Sequence, residues 1–373
     1  MLVFHISDLH LGKRLCEHSF LEDQEFILDR ILQLADEEKP AAVLIAGDVF
    51  DRSLPSEEAV RLLDRFLVAL SRRGIRALVI SGNHDSAERL SFGGRLMEQS
   101  GVTLAPLWDG NTVRVRLEDE FGAVNVFLLP YLRLSQIRRA FPERELADVN
   151  EAMRAVIEAI APDESERNVL VAHQFVTGAL RSESETVIVG GEENVDAAVF
   201  AAFDYVALGH IHSPQSVGSE TVRYCGTPLK YSLSEEGQQK SVTVVELGAK
   251  GSVQVRTLPL RPLRELRELR GSFEELLRGD ASEDYIYLCL TDEQELPDAM
   301  ARLQAVYPNA MNLRYDNRRT ARYQAVGAAQ TELTQTPLEL FAQLYRLQNN
   351  AELSPEQQEL LEQLIAEIWE EEA

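Results

Sequence analysis

Cysteine is scarce. Three thiols, Cys16, Cys225 and Cys289, are odd in number and far apart in a chain of 373 residues. Neither a disulfide framework nor a clustered zinc spacing can be read from them, and a reducing, cytoplasmic setting fits. Long hydrophobic runs are also lacking. No stretch approaches the roughly 20 apolar residues that a membrane helix needs. No signal-peptide pattern fits the first residues, which enter a strand-like run and meet His5 and Asp8. Basic charge is short as well: 37 Lys and Arg stand against 61 Asp and Glu, a net charge of −24. That argues against a general nucleic-acid coat, because backbone binding usually shows as a basic face. The imbalance is uneven. Residues 351–373 hold eight Glu and no Lys or Arg, whereas basic residues gather locally at Arg72 and Arg73 and at Arg133, Arg138 and Arg139. A local groove for DNA stays open, with metals or a partner supplying much of the affinity.

The length predicts two or three domains. Apolar content of 45% and charged content of 26% are those of a globular protein. Leu2 to Ile6, Ala42 to Ala46 and Ala77 to Ile80 are short apolar runs, read as buried strands. Between them lie helical spacings, from about Ser19 to Glu38 and after Ser56, which reads as an N-cap for Val60, Leu63, Phe66, Leu67 and Leu70. Strand, helix, strand, helix, strand is the pattern of a parallel α/β sheet. Further strands are expected at Val113 to Leu117, Val126 to Leu129, Val169 to Ala172, Tyr205 to Leu208, Val222 to Tyr224, Val242 to Leu247 and Val253 to Leu258, with a helix from about Leu146 to Ile160. Gly190-Gly191 reads as a loop.

Pro259 and Pro262 mark a boundary that ends a first domain at 1–262. A small α+β unit follows over 263–317, where Leu263, Leu266 and Leu269 leave helix and strand open, Tyr285 to Leu290 and Asn312 to Tyr315 read as strands and about Leu296 to Val306 as a helix. Residues 318–335 are Gln/Thr-rich and read as a linker. Residues 336–373 carry two helices announced by the capping boxes Thr336-Pro337-Leu338-Glu339 and Ser354-Pro355-Glu356-Gln357. They are read either as a hairpin folded on its own domain or as an arm that docks a partner.

Chemistry-bearing residues stand at the ends of five strand-like runs: Asp8 and His10, Asp48, Asn83 and His84, His173, and His210 and His212. In an open α/β sheet the ligand site lies at the carboxyl ends of the strands, so the five ends can converge. Taken singly each has a bland reading: His10 as a surface residue, Asp48 as a turn cap, His173 as a satisfied core histidine. Together they account for five of the seven His residues, at strand ends with Asp or Asn as companions in the set; His5 reads as structural and His18 as exposed. Mixed His, Asp and Asn donors suit manganese or iron better than a thiolate-loving ion. Seven ligands exceed one open metal site and suit two ions about 4 Å apart that share a carboxylate.

The order Asp8-x-His10, Gly47-Asp48, Gly82-Asn83-His84-Asp85, His173 and Gly209-His210-x-His212 resembles the calcineurin-like metallophosphoesterase superfamily. His5 to Gly12, Gly47 to Asp51, Phe203 to His212, Gly226 to Ser232, Arg261 to Arg264 and Val306 to Asn309 are similar to the bacterial SbcD branch, the double-strand-break-repair nucleases. The resemblance implies an α/β (α+β) four-layer sandwich of two mixed sheets flanked by helices, then a capping domain and C-terminal helices that grip the coiled coil of an SbcC-type ABC ATPase. It implies one manganese held by Asp8, His10 and His212, another by Asn83, His173 and His210, Asp48 bridging, and His84 acting beside the scissile phosphate. The activity implied is ATP-dependent 3′-to-5′ exonuclease action on double strands with SbcC, and endonuclease action on single strands and hairpins, in DNA end processing, recombination and repair. A homodimer of the nuclease domain is a further expectation. Where archaeal and eukaryotic relatives carry a His three residues after the bridging Asp, this chain carries Asp51. Two alternatives stand beside this reading: a phosphoesterase for a substrate other than DNA, and a scaffold that keeps its metals for structure.

Overall fold

The computed structural model describes residues 1–185, 194–317 and scattered positions between 338 and 361. Two six-stranded mixed sheets form its centre. In the first, Leu2–Ile6, Ala42–Ala46, Arg76–Ile80 and Val102–Ala105 run parallel, and Ser241–Leu247 and Val253–Pro259 add antiparallel strands beside Leu2–Ile6. In the second, Gly122–Leu129, Arg167–His173, Tyr205–Gly209 and Ser219–Tyr224 are parallel, with antiparallel edges at Val113–Asp119 and Gln215–Val217.

Period-two alternation assigns each face. Val3, Leu44 and Leu78 of the first sheet meet Val126, Val171 and Ala207 of the second in one buried cluster. Phe4, Ile6, Val43 and Val79 point the other way, onto the helices Leu21–Glu38 and Glu57–Arg72. The far face of the second sheet packs Leu170, Val206 and Leu208 on Met153 and Val156 of the helix Val149–Ile160. The result is four layers: helices, sheet, sheet, helices. His5 lies between the sheets, where its ring nitrogens meet the Tyr205 hydroxyl at 2.9 Å and the Leu208 carbonyl at 3.2 Å. Its role is structural, as its place in the strand implies.

Ser56 caps its helix by accepting from the Ala59 N–H, and Asp148 caps Val149–Ile160 by accepting from the Glu151 N–H. Three features escape the periodic reading. Val102–Ala105 is a fourth parallel strand, only four residues long. Of the ambiguous leucines, Leu266 and Leu269 fall in the strand Leu266–Gly271 and Leu263 precedes it, and a short helix, Phe273–Leu277, follows behind a Ser272/Glu275 capping box. The helix expected from Leu296 forms only over Ala299–Leu303. His18 is half-buried rather than exposed, because its ring meets the edge of Tyr285.

Leu266–Gly271, Tyr285–Leu290 and Ala310–Tyr315 form a small third sheet. Tyr285 joins it to the first helix, stacking on Phe20 and donating to Asp23 at 2.7 Å, while Arg264 pairs with the same carboxylate at 2.8 Å. The chain divides into two compact units, Met1–Cys289 with Asp298–Arg314, and Leu290–Pro297 with the chain from Tyr315 onward. The Gly190-Gly191 loop, the linker 318–335 and most of the segment 336–373 lie outside the described residues. Within that segment Ser354 and Gln357 make the reciprocal bonds of a capping box, at 2.9 and 3.3 Å, and Gln357 reaches the Tyr345 hydroxyl at 3.1 Å. No helix among the described residues is long and apolar enough to cross a membrane.

Candidate metal centre

The parallel strands of both sheets end against one another, and the backbone there is bent to bring side chains inward. Beyond the first two strands the ladder continues as isolated bonds, Asp8 N–H to the Gly47 carbonyl and His10 N–H to the Asp48 carbonyl, each 3.0 Å. Asp8, His10, Asp48 and His210 all have positive φ, at 52°, 44°, 46° and 102°. Such conformations cost non-glycine residues of the order of 1–3 kcal/mol each and persist where the surroundings over-determine them. Gly82 and Gly209 permit the close approach: a Cβ on Gly209 would fall inside the radius of the Ala46 carbonyl oxygen, and one on Gly82 would strike the Asp48 carboxylate.

All eight residues singled out in the sequence meet here. Asp48 is central. Its Oδ2 lies 3.5 Å from His173 Nε2, 3.8 Å from His10 Nε2 and 4.0 Å from His84 Nε2, and its Oδ1 accepts from the His84 N–H at 2.9 Å. On one side, Asp8, His10 and His212 form a group whose ligand atoms are within metal-binding reach of one another. On the other, Asn83 Oδ1 lies 3.1 Å from His173 Nε2 and 3.0 Å from His210 Nδ1. Asp8 also joins Asp48 and His173 in a further group, and its carboxylate accepts the His210 N–H at 3.1 and 3.2 Å.

The donor set fits divalent cations. Nε2 of His10 and Nε2 of His212 face each other at 3.1 Å. Two imidazole nitrogens that close need a proton or a cation to share, and His10 Nδ1, buried, has no hydrogen-bond partner among the described residues. The other ring nitrogens are anchored. His173 Nδ1 donates to the Ala46 carbonyl at 2.8 Å, which directs Nε2 inward. Ser184 donates its hydroxyl proton to Glu235 and accepts from His212 Nδ1, each at 2.6 Å, which directs the His212 Nε2 lone pair toward His10.

Burial depresses the imidazoles of His10 and His210 to about 3 and that of His212 well below its usual range, so these stay neutral and ready to ligate. Burial pushes the Asp8 carboxyl up. Burial also lowers His173, but the adjacent Asp48 carboxylate outweighs it and raises the imidazole to about 9. Asp48 is desolvated too, yet His173 and its neighbours hold it below the usual carboxylate range. The metal-free site therefore keeps protons that a cation would displace.

His84 sits at the mouth, half-buried, with its ring perpendicular to that of His10. Its Nδ1 donates to the backbone carbonyl of Asp51 at 3.0 Å, leaving Nε2 turned to the cluster. The Asp51 carboxylate meets Lys13 at 2.8 Å. Sequence reading missed the supports behind these groups. Asp85, although inside the Gly82–Asp85 motif, received no role; it accepts from the N–H groups of Val49, Phe50 and Gly82 at 3.1, 2.9 and 2.9 Å and so ties two ligand-bearing loops together. Behind His212, the buried Glu235 and Lys240 pair at 2.6 Å, and Lys240 also donates to the His212 carbonyl at 2.9 Å. Nothing in their spacing marks them.

A family model described as calcineurin-like phosphoesterase matches residues 1–214. This chain belongs to that family. A second model, for the type 5 capsule protein repressor C-terminal domain, matches residues 261–349. The phosphoesterase is 31% identical over 326 residues to the SbcD component of the nuclease SbcCD of Staphylococcus epidermidis, an alignment covering 84% of this chain and 85% of the relative. It is a homologue of that component. Among solved structures, a dimetal phosphatase from Danio rerio is 14% identical with a TM-score of 0.44, covering 70% of this chain and 98% of that one. The protein TT1561 of Thermus thermophilus is 13% identical with a TM-score of 0.42, covering 70% and 99%. Neither score carries weight beside the sequence match.

Proposed function

We propose that this phosphoesterase is the nuclease subunit of an SbcCD-like complex and hydrolyses DNA phosphodiester bonds at a two-cation centre. The observation that carries the reading is the position of Asp48, whose carboxylate stands between His10 and His173 and so between the two donor groups. Asp8, His10 and His212 would hold one ion, Asn83, His173 and His210 the other, with Asp48 common to both and manganese the favoured metal. Two divalent ions supply charge that offsets the phosphodiester oxygens and lowers the pKa of a water. The rest falls to the chain. His84 donates Nδ1–H to the Asp51 carbonyl, which turns Nε2 toward the cluster, where the ring in its doubly protonated form would donate to a leaving oxygen as charge develops there.

The relative's name refers to a complex with a second subunit, and the acidic stretch 351–373, with apolar Leu360, Leu361 and Leu364, suits docking on a basic or amphipathic helix of an SbcC-type ATPase. In this reading residues 1–262 are the nuclease domain, 263–317 the cap, 318–335 a linker and 336–373 the docking helices. Phe92 and Leu96, 85% and 81% exposed, support self-association of the nuclease domain. The setting is the cytoplasm, with DNA ends as the site of action. The test is manganese-dependent cleavage of a labelled DNA hairpin and of a small phosphodiester in parallel. Cleavage of both supports the reading. Hydrolysis of the small ester alone, with or without the ATPase present, points instead to a phosphoester other than DNA.

A further inference from the structure

The basic cluster Arg133, Arg138 and Arg139 has no part in the metal centre. Arg138 is occupied, donating to the carbonyls of Leu146 and Ala147. Arg133 and Arg139 are exposed, and among the described residues neither makes an ion pair. Both line an open cleft of ≈ 320 Å³ whose lining also includes Asn83 of the metal centre, Trp108 and Tyr131. Tyr131 links cleft and centre. Its ring stands edge-on to His173, with centroids 6.2 Å apart, and its N–H donates to the Ser81 carbonyl at 3.0 Å. Trp108 is half-buried, propped by Phe141 and donating to Thr112 at 3.3 Å. Asp85 and the exposed Glu88 share the wall; the Asp85 carboxylate is taken up by three backbone N–H groups, and Glu88 accepts from the Ser86 hydroxyl at 3.5 Å.

Two aromatic side chains and two unpaired guanidinium groups beside a phosphodiester-cleaving centre are the parts of a single-strand binding site: rings on which a base stacks and cations that track the backbone. We infer that this cleft is a subsite for an unpaired nucleotide of the DNA strand next to the scissile phosphate. The base lies against Tyr131 and Trp108, and a flanking phosphate is held by Arg133 and Arg139. In a chain of net charge −24 these two cations supply local attraction that the remainder of the surface opposes. This inference rests on the nuclease reading above.

The chain holds two tryptophans, Trp108 and Trp369. In the full-length Trp369→Phe protein, the indole signal therefore reports on the cleft alone. Titrating it with oligothymidylate in EDTA is expected to quench Trp108 fluorescence. Adding Arg133→Gln and Arg139→Gln together is expected to raise the midpoint at least tenfold. With manganese, the same double substitution is expected to lower the ratio of kcat/KM for the oligonucleotide to that for bis(p-nitrophenyl) phosphate at least tenfold, through KM. Oligonucleotide cleavage without quenching, or with midpoint and ratio unmoved by the double substitution, overturns the subsite and leaves the nuclease reading intact. Quenching without cleavage, while the small ester is hydrolysed, overturns the nuclease reading and retains a strand-binding cleft. Neither quenching nor cleavage overturns both.

Discussion

Replacing Lys240 by Met removes the cation from a buried ion pair behind the metal centre. Lys240 is 4% exposed and Glu235 is fully buried. The ammonium donates at 2.6 Å to Glu235, 2.8 Å to Thr227 and 2.9 Å to the His212 carbonyl. Stranding a buried carboxylate without its partner costs about 3–5 kcal/mol. Glu235 keeps other donors, Ser184 at 2.6 Å, Ser232 at 3.2 Å and the Tyr231 N–H at 3.3 Å, which places the loss near the lower end, about 3 kcal/mol. At about 2–4 °C per kcal/mol for a large domain, the midpoint falls by about 6–12 °C. Urea unfolding in metal-free buffer reads the energy directly. The double variant Lys240→Met/Glu235→Gln is expected to recover more than half of it, since no charge is then left unpaired. Because Ser184 and Lys240 orient His212, Lys240→Met also weakens cation binding, by about 10–100-fold in proportion to other supports of a ligating His. A single variant within about 1 kcal/mol of wild type, or a double variant less stable than the single, would refute the reasoning.

Three further outcomes follow from the centre. His84→Ala should leave cation binding nearly unchanged while turnover of a small phosphodiester falls by about 10²–10⁴; equal turnover removes His84 from the chemistry. The pH dependence has a definite sign. His173 is raised to about 9 by Asp48, so its contribution to the metal-free fold is complete below its unfolded value near 6.5 and fades as pH rises to about 9. The raised Asp8 adds a loss of the same sign, while the buried neutral imidazoles of His10, His210 and His212 oppose the fold at acidic pH. Since a cation displaces the His173 proton, manganese affinity should climb by up to about tenfold per pH unit between 6.5 and 9; isothermal titration in two buffers of different ionisation heat would expose a flat profile. Gly209→Ala should abolish cation binding, because the strand must part from Ala46 to admit the methyl group; a variant that still binds shows that the two sheet ends can separate without harm.

Much of the fold is legible because its strands are short, apolar and separated by helices of clear period. Leu2–Ile6, Ala42–Ala46 and Arg76–Ile80 are nearly pure runs, buried on both faces as parallel strands are. Val102–Ala105 is not legible, since four residues carry no usable period and its Thr103 interrupts the run. The small third sheet is obscured by the Leu263, Leu266 and Leu269 spacing, which fits neither period. The candidate ligands are legible because each ends a strand and is of a type seldom left idle there. Their supports are not. Glu235, the last residue of the short 3-10 helix Leu233–Glu235, and Lys240, just before the strand Ser241–Leu247, lie later in the chain than His212, and a lone Glu or Lys in sequence is indistinguishable from a solvated one. The Arg133 and Arg139 cluster is visible as a charge run, but only the tertiary structure shows which arginine of the three is engaged.

The most direct measurement is the manganese content per chain, after equilibrium dialysis, of the wild type and of Asp48→Ala. A carboxylate common to both donor groups predicts two ions per wild-type chain and neither retained in the variant. One ion in the wild type, or two in the variant, would contradict the two-cation centre on which the proposed nuclease rests.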